Sequence, residues 1–499
     1  MKHKDDISSS HILTLERRLL SLPSAELPRE GMPAHVASRI IRERMLDRGP
    51  SLHDTSIGAP APEMEPAACR LMAELLHREM SDDSPRAPEH ELERRCVHIL
   101  AGLWNAPDPS KAVGYAAGGA EQAAIAGGAA ALLSWRRRRR AVERSCERPN
   151  FVVSAAGNRI WRRFAELFDL EMRVVPLYPG AATLDPARAA ALCDERTTMV
   201  VATAGSPLTG LIDDILLLDG QLERLDRRTG WSIPIHVDAA FTGLLLPFRD
   251  SRPAWDFRLR WVHSVSTAGD RSGLVCPGLG WTVWRDADLL PADIKGDGRR
   301  FAPPFTCRPA GQPVLQLYHF LRLGRNGYRR IAENRFALCR YLCDRLTELG
   351  FRLLADPMPT PAAVFYLPER SLRHWTLPDL ARHMRPLGWR IPVRRLPGHL
   401  HRTQVMQIEV GPDTGFERIE RLLTDLEYAV SHLDREEPRL PFSPAGTDLE
   451  KEADDGSPLS AGTFRPAADR TGADDEEPAP FDRRPKIRRA ARSFLHRKR

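Results

Sequence analysis

Two charged residues stand where short apolar runs end: Asp238 in "HVDAAFTG" and, 33 positions later, Arg271 in "STAGDRSG". A carboxylate at such a place is normally held by hydrogen bonds from neighbouring amides, whatever else it does. A guanidinium keeps its proton to a pKa above about 12 and delocalises its lone pair, so Arg271 cannot serve as an amine nucleophile at neutral pH. A guanidinium in such a place needs a counter-charge, and the expected ion pair is Arg271 with Asp238 or with Glu121 of "GGAEQAA". Other amines are few. Lys111 and Lys295, the latter in "ADIKGDGRR", are candidates, but reaction geometry has to hold to within about an ångström. Cys276 and Cys307 are candidate reactive thiols, although a free cysteine is more often a small buried hydrophobe. The eight cysteines lack paired C-x-x-C spacing, and no metal site is expected.

The elements that must position these residues follow from hydrophobic period. From 150 to about 285, β-branched runs ("NFVVSAA", "EMRVVPL", "TTMVVATAG", "SIPIHVDAA", "WVHSVSTAG", "GLGWTVWR") alternate with helical segments. That pattern predicts a mostly parallel sheet covered by helices on both faces. Ligands of such sheets sit beyond the carboxyl ends of the strands, where "VDAA", "ATAG" and "STAG" fall. Before them, 64–145 reads as helical and includes the alanine-rich helix that opens on the glycines of "GGAEQAA". The five arginines after Trp135 read as a solvated helix face.

The expected organisation is an N-terminal helical arm (1–60), a large domain (61–312), a long helix with a small C-terminal α+β domain (313–435), and a disordered tail (436–499). The tail's end, "RRPKIRRAARSFLHRKR" in 480–499, places Ile487, Ala490, Ala491, Phe494 and Leu495 on one face of a basic amphipathic helix. It suits an anionic partner: a membrane surface, a nucleic acid or an acidic protein.

With 499 residues and 42% hydrophobic content the chain can bury a large core and a smaller one. The net charge is +7, and 66 of the 73 basic residues are arginine, a bias that suggests a GC-rich genome more than selection for phosphate binding. No transmembrane run or signal peptide is read, so a cytoplasmic location is expected.

Several blocks in order, "HVDAAFTG", "WDFRL", "SVSTAGDRSG…GLGWTVWRD" and "CRPAGQPVLQLYHFLRLGRNGY", resemble the glutamate decarboxylases, with weaker matches from 96 to 433. This resemblance implies the pyridoxal phosphate (PLP)-dependent fold type I, an α/β fold: a large domain with a seven-stranded mostly parallel sheet plus a small C-terminal α+β domain, as a homodimer. The family's chemistry requires a lysine that forms a Schiff base with PLP and a carboxylate that keeps the pyridine nitrogen protonated. It also requires donors at a helix N-terminus for the phosphate and an arginine for the substrate carboxylate.

Carried over residue by residue, the resemblance implies one role kept and most lost. Asp238 matches the pyridine-nitrogen carboxylate. Arg271 stands at the Schiff-base lysine, after Asp270 in place of a histidine. Arg162 stands at the ring-stacking histidine, where a guanidinium can still stack. Ala120 and Glu121 replace the phosphate-binding serines, and Glu121 is expected to fill the anion hole itself. Pro207 replaces a hydroxyl, and Gln407, with Glu409 nearby, replaces the substrate arginine. Arg308 is retained beside Cys307. The expectation is a glutamate-decarboxylase-like protein with PLP absent or held weakly and noncovalently, without decarboxylase activity, and with a regulatory or binding role, alone or in a heteromer with an active relative. The alternatives are an active PLP-dependent decarboxylase or a new reaction in the same cleft, and an interaction protein acting through 480–499.

Overall fold

The computed structural model describes residues 31–46, 53–55, 64–81, 88–157, 159–249, 253–290, 307–368 and 373–436. Its centre is a seven-stranded sheet built from β1 (Val113–Ala117), β2 (Asn150–Ser154), β3 (Glu171–Val175), β4 (Thr197–Thr203), β5 (Ile235–Asp238), β6 (Val262–Ala268) and β7 (Gly280–Trp284). The spatial order is β3-β2-β4-β5-β6-β7-β1. All neighbours are parallel except β7, which runs antiparallel to both β6 and β1. β2 and β4 are buried along their whole length, as expected of strands covered on both faces.

Six of the strands coincide with the apolar runs of the sequence. The seventh, β1, was not among them: "VGYAA" is short, contains glycine and alanine, and sits between two helical patterns. Its pairing is set by closeness to β7. A Cβ at Gly114 would lie 2.4 Å from the carbonyl oxygen of Thr282, so only glycine lets the strands approach.

Alternation along β5 decides what lies beneath the site. Ile235 and Val237 join the core on one face with Leu218 and Leu222 of α4 (Ile215–Thr229). His236 and Asp238 point to the other face, under α2 (Ala120–Ala141) and α3 (Ile160–Phe168). There Phe151, Val153 and Val201 pack with Trp135, Trp161 and Phe164. The small residues of α2 let it lie close on the sheet: a Cβ at Gly127 would fall 2.3 Å from the His236 ring.

A 38-residue helix, α5 (Gly311–Glu348), leads out of this layer and breaks helical geometry at Gly324, where φ is 58°. It carries a second core shared with a four-stranded antiparallel sheet of β8 (Arg352–Leu353), β9 (Ala362–Tyr366), β10 (Val393–Arg395) and β11 (Gln404–Glu409), in the order β8-β9-β11-β10. Helices α6 (Leu377–Met384) and α7 (Phe416–Arg435) contribute buried Leu380, Met384, Leu422 and Leu426 to that core. In the predicted N-terminal arm lies helix α1 (Ala34–Leu46). Residues 1–30 of that arm, Lys295 and the basic segment 480–499 fall outside the described residues. No helix among the described residues is long and apolar enough to cross a membrane.

Candidate active site

The carboxyl edge of the sheet gathers most of the residues singled out in the sequence. Asp238 ends β5, and its backbone register with Thr203 and Ser266 sets it in the middle of the edge. The end of β6 holds the residues that follow Asp238: Ala239 N donates to Ser266 O (2.9 Å), Thr267 Oγ1 to Ala239 O (2.9 Å) and Ala268 N to Ala240 O (2.9 Å). Ala117, Gly280 and Ala268 lie side by side, which brings the start of α2 to the same edge.

Asp238 is 3% exposed. Its Oδ2 accepts from the Trp161 indole nitrogen at 3.3 Å and its Oδ1 from Ala240 N at 3.2 Å. Burial pushes its carboxyl up to about 6, and these two donors offset only part of that rise. Two residues earlier, burial brings the His236 imidazole down to about 3, so the ring is neutral. It bridges Ser264 Oγ (2.8 Å) and Ser266 Oγ (3.0 Å) and meets Trp161 edge to face at 5.4 Å. Trp161 thus holds the carboxylate from the side, a role the sequence did not announce. Arg162, the next residue on α3, is half-buried.

Arg271 lies in a clamped turn. Ser272 Oγ donates to Phe241 O (2.9 Å), while Gln316 Nε2 and Tyr328 Oη donate to Gly273 O (3.2 and 3.3 Å). A Cβ at Gly273 would sit 2.4 Å from Gly269 O, so the turn closes only on glycine. The expected ion pair of Arg271 with Asp238 or Glu121 is not what forms. Arg271 Nε faces Asp270 Oδ1 at 3.8 Å, because Asp238 is turned toward Trp161 and Glu121 toward solvent. Burial raises the Asp270 carboxyl, and the adjacent Arg271 opposes the rise.

Glu121 does not fill the anion hole either. Its side chain is 60% exposed and pairs with Arg163 at 3.9 Å. The first turn of α2 has no side-chain cap; the nearby Gln122 Oε1 instead accepts from Gly118 N at 3.0 Å. This helix end is fixed by contact of backbone with backbone: Gly119 has φ 140°, and a Cβ at Gly280 would lie 2.1 Å from its carbonyl oxygen.

The remaining positions belong to the second core. Gln407, 2% exposed on β11, donates its side-chain amide to Pro207 O at 3.3 Å and to Leu208 O. Its neighbour Glu409 pairs with Arg335 at 2.9 Å. Arg335 is fully enclosed in α5; it also donates to Val410 O (2.7 Å) and Ser272 Oγ (3.0 Å). Neither Arg335 nor Trp161 was found from the sequence. One arginine among 66 carries no signal, and a tryptophan in a helix reads as core. At Arg308 the backbone is fixed by antiparallel pairing of Cys307–Pro309 with Glu79–Ser81.

Chemically, the edge offers a buried carboxylate that can hold a protonated ring nitrogen and a helix N-terminus suited to an anion. It offers no amine. Among the described residues the sole lysine is Lys111, 67% exposed beside Asp108 and just before β1, at the opposite end of that strand. The residues therefore fit the nitrogen and, in part, the phosphate of PLP, but not its covalent attachment.

The fold and the edge define a class, and comparison with known proteins places the chain in it: residues 80–367 match the pyridoxal-dependent decarboxylase conserved domain. Within that class the chain belongs to the glutamate decarboxylase family. It is 33% identical over 445 residues to glutamate decarboxylase of Solanum lycopersicum, covering 87% of this chain and 88% of that protein. It is 32% identical over 430 residues to glutamate decarboxylase of Lactococcus lactis subsp. cremoris, covering 84% and 92%. The solved glutamate decarboxylase of Lactobacillus brevis superposes with a TM-score of 0.77 at 33% identity, covering 84% of this chain and 96% of that one. The family is PLP-dependent, and its α/β fold with the seven-stranded sheet is the fold described above.

Proposed function

We propose that this member of the glutamate decarboxylase family holds no covalent PLP, lacks decarboxylase activity and serves a regulatory or binding role in the cytoplasm. It does so as a homodimer or in a heteromer with an active relative. The observation that carries this reading is Arg271 in the clamped turn that Ser272 ties to Phe241, three residues beyond Asp238, with no lysine at that edge among the described residues. A permanently charged guanidinium cannot add to an aldehyde as an amine does. The test is direct: the purified full chain is incubated with PLP, reduced with borohydride and mapped by mass spectrometry, and carbon dioxide release from glutamate is followed in parallel. No pyridoxyl label in the cleft and no release are expected. A label there, or release above a PLP-only control, overturns the reading.

A second reading, catalysis with noncovalent PLP or a new reaction in the same cleft, draws on the intact Asp238 and the uncapped start of α2. Glutamate turnover that depends on Asp238 but resists borohydride would favour it. For the basic segment 480–499 we propose an anionic partner; its deletion should abolish a strongly salt-sensitive association.

A further inference from the structure

Far from the sheet edge, three metal-ligating side chains converge in the second core's outer layer. His383 lies in the last turn of α6, His432 in the last turn of α7, and Glu436 directly after α7, four residues beyond His432. Just past the last turn of α7 the Glu436 carboxylate comes back beside the His432 ring. His383 Nε2 is 3.5 Å from Glu436 Oε1, and His432 Nδ1 is 3.2 Å from the same oxygen. One donor atom from each residue lies within 4.8 Å of the others. A tetrahedral metal with bonds of about 2.0–2.1 Å places its ligands roughly 3.3 Å apart. The two measured separations bracket that edge length.

A second observation fixes the direction of one ring. His383 Nδ1 is 3.0 Å from the carbonyl oxygen of Asp379. A carbonyl only accepts, so Nδ1 carries a proton, which leaves Nε2 facing Glu436. This is how outer partners orient metal-binding histidines. Either protons or a metal cation can bridge the two imidazoles to the carboxylate. Protons would have to be added one per ring, whereas one divalent metal serves all three ligands. The side chains are 24%, 48% and 29% exposed for His383, His432 and Glu436, so an ion from solvent reaches them without unfolding.

We propose that His383, His432 and Glu436 form a binding site for a divalent transition metal, zinc by its ligand set of two imidazoles and one carboxylate, that pins the end of α7 to α6. A fourth position is left to water.

The test uses the full chain without a histidine tag, stripped with chelator, titrated with zinc by calorimetry and with cobalt by visible absorption. One equivalent of zinc, cobalt bands of a four-coordinate site, and a rise in melting temperature that chelator reverses are expected. His432→Ala and the conservative Glu436→Gln should each weaken binding by about tenfold or more, while His401→Ala, outside the cluster, should bind as the parent does. Metal-free variants should melt with the metal-free parent, which separates lost ligation from lost folding. No zinc uptake by the parent overturns the proposal, as does an equivalent retained by the His383→Ala/His432→Ala double variant.

Discussion

The side-chain amide of Gln407 donates to the backbone carbonyl of Pro207 across 3.3 Å, joining β11 of the second core to the loop that follows β4. A further bond runs to Leu208 O. These are two of the positions at which resemblance implies a lost role, and they have become partners of each other. An amide that satisfies two carbonyls in a buried place acts as a structural tie.

Replacing that tie should therefore cost stability. Gln407→Ala removes the donor to two part-buried carbonyls and should lower unfolding free energy by about 0.5–1.5 kcal/mol. Gln407→Glu should cost more, since it turns an acceptor toward acceptors. Urea denaturation at pH 7 reads both; equal midpoints for parent and variants would rule the tie out.

Arg271→Lys tests what the turn once held under the proposed function. The turn is clamped through Ser272 and Gly273 by backbone contacts and by Gln316 and Tyr328, none of which uses the Arg271 side chain. The substitution should therefore preserve folding and supply an amine beside Asp238. A borohydride-stable pyridoxyl label should appear at position 271 in the variant and not in the parent. An unlabelled variant that folds normally would mean the edge no longer accepts the ring.

Asp238 predicts a specific pH dependence. Its carboxyl rises from 3.8 to about 6 on burial, so between these values the folded state binds a proton that the unfolded state does not. Stability from this group is full below the lower value and is lost as pH rises through the window, by up to about 3 kcal/mol. Relative to the parent, Asp238→Asn should therefore gain stability between pH 4 and pH 7 by about that amount. A parent-to-variant difference that stays flat with pH would contradict the assignment. Asp213, raised to about 6 by the same cause, is unchanged in both proteins and drops out of the difference.

Arg335 should be among the costliest side chains to remove. Its loss removes the 2.9 Å guanidinium partner of Glu409, whose side chain is 8% exposed, and should cost about 3–5 kcal/mol. Arg335→Leu/Glu409→Leu should recover part of the loss because the carboxylate goes too. Chemical denaturation of the two variants decides it; a double variant no more stable than the single one would count against the pair.

Sequence reading reached the sheet through its strongest signal, β-branched runs buried on both faces, and missed β1, whose glycine and alanines exist to let β7 approach. The place of Asp238 was legible because it ends an apolar run. Its partner was not, since a Trp161 indole that donates sideways looks like any core tryptophan until α3 is folded over β5. The charge pairing of Arg271 was misread for a related reason: sequence lists charges but not the side of a strand or helix from which each one faces. Of the proposed metal cluster only the step from His432 to Glu436 is local; His383 comes from another helix, so spacing alone does not announce the site.

The reach of Arg335 has a consequence for how the molecule comes apart. One guanidinium on α5 binds Ser272 in the turn after β6 and Glu409 and Val410 at the end of β11. Neither layer can loosen without stranding groups in the other. The two layers should melt in a single cooperative transition, and amides of the turn and of β11 should exchange with solvent only through that global opening.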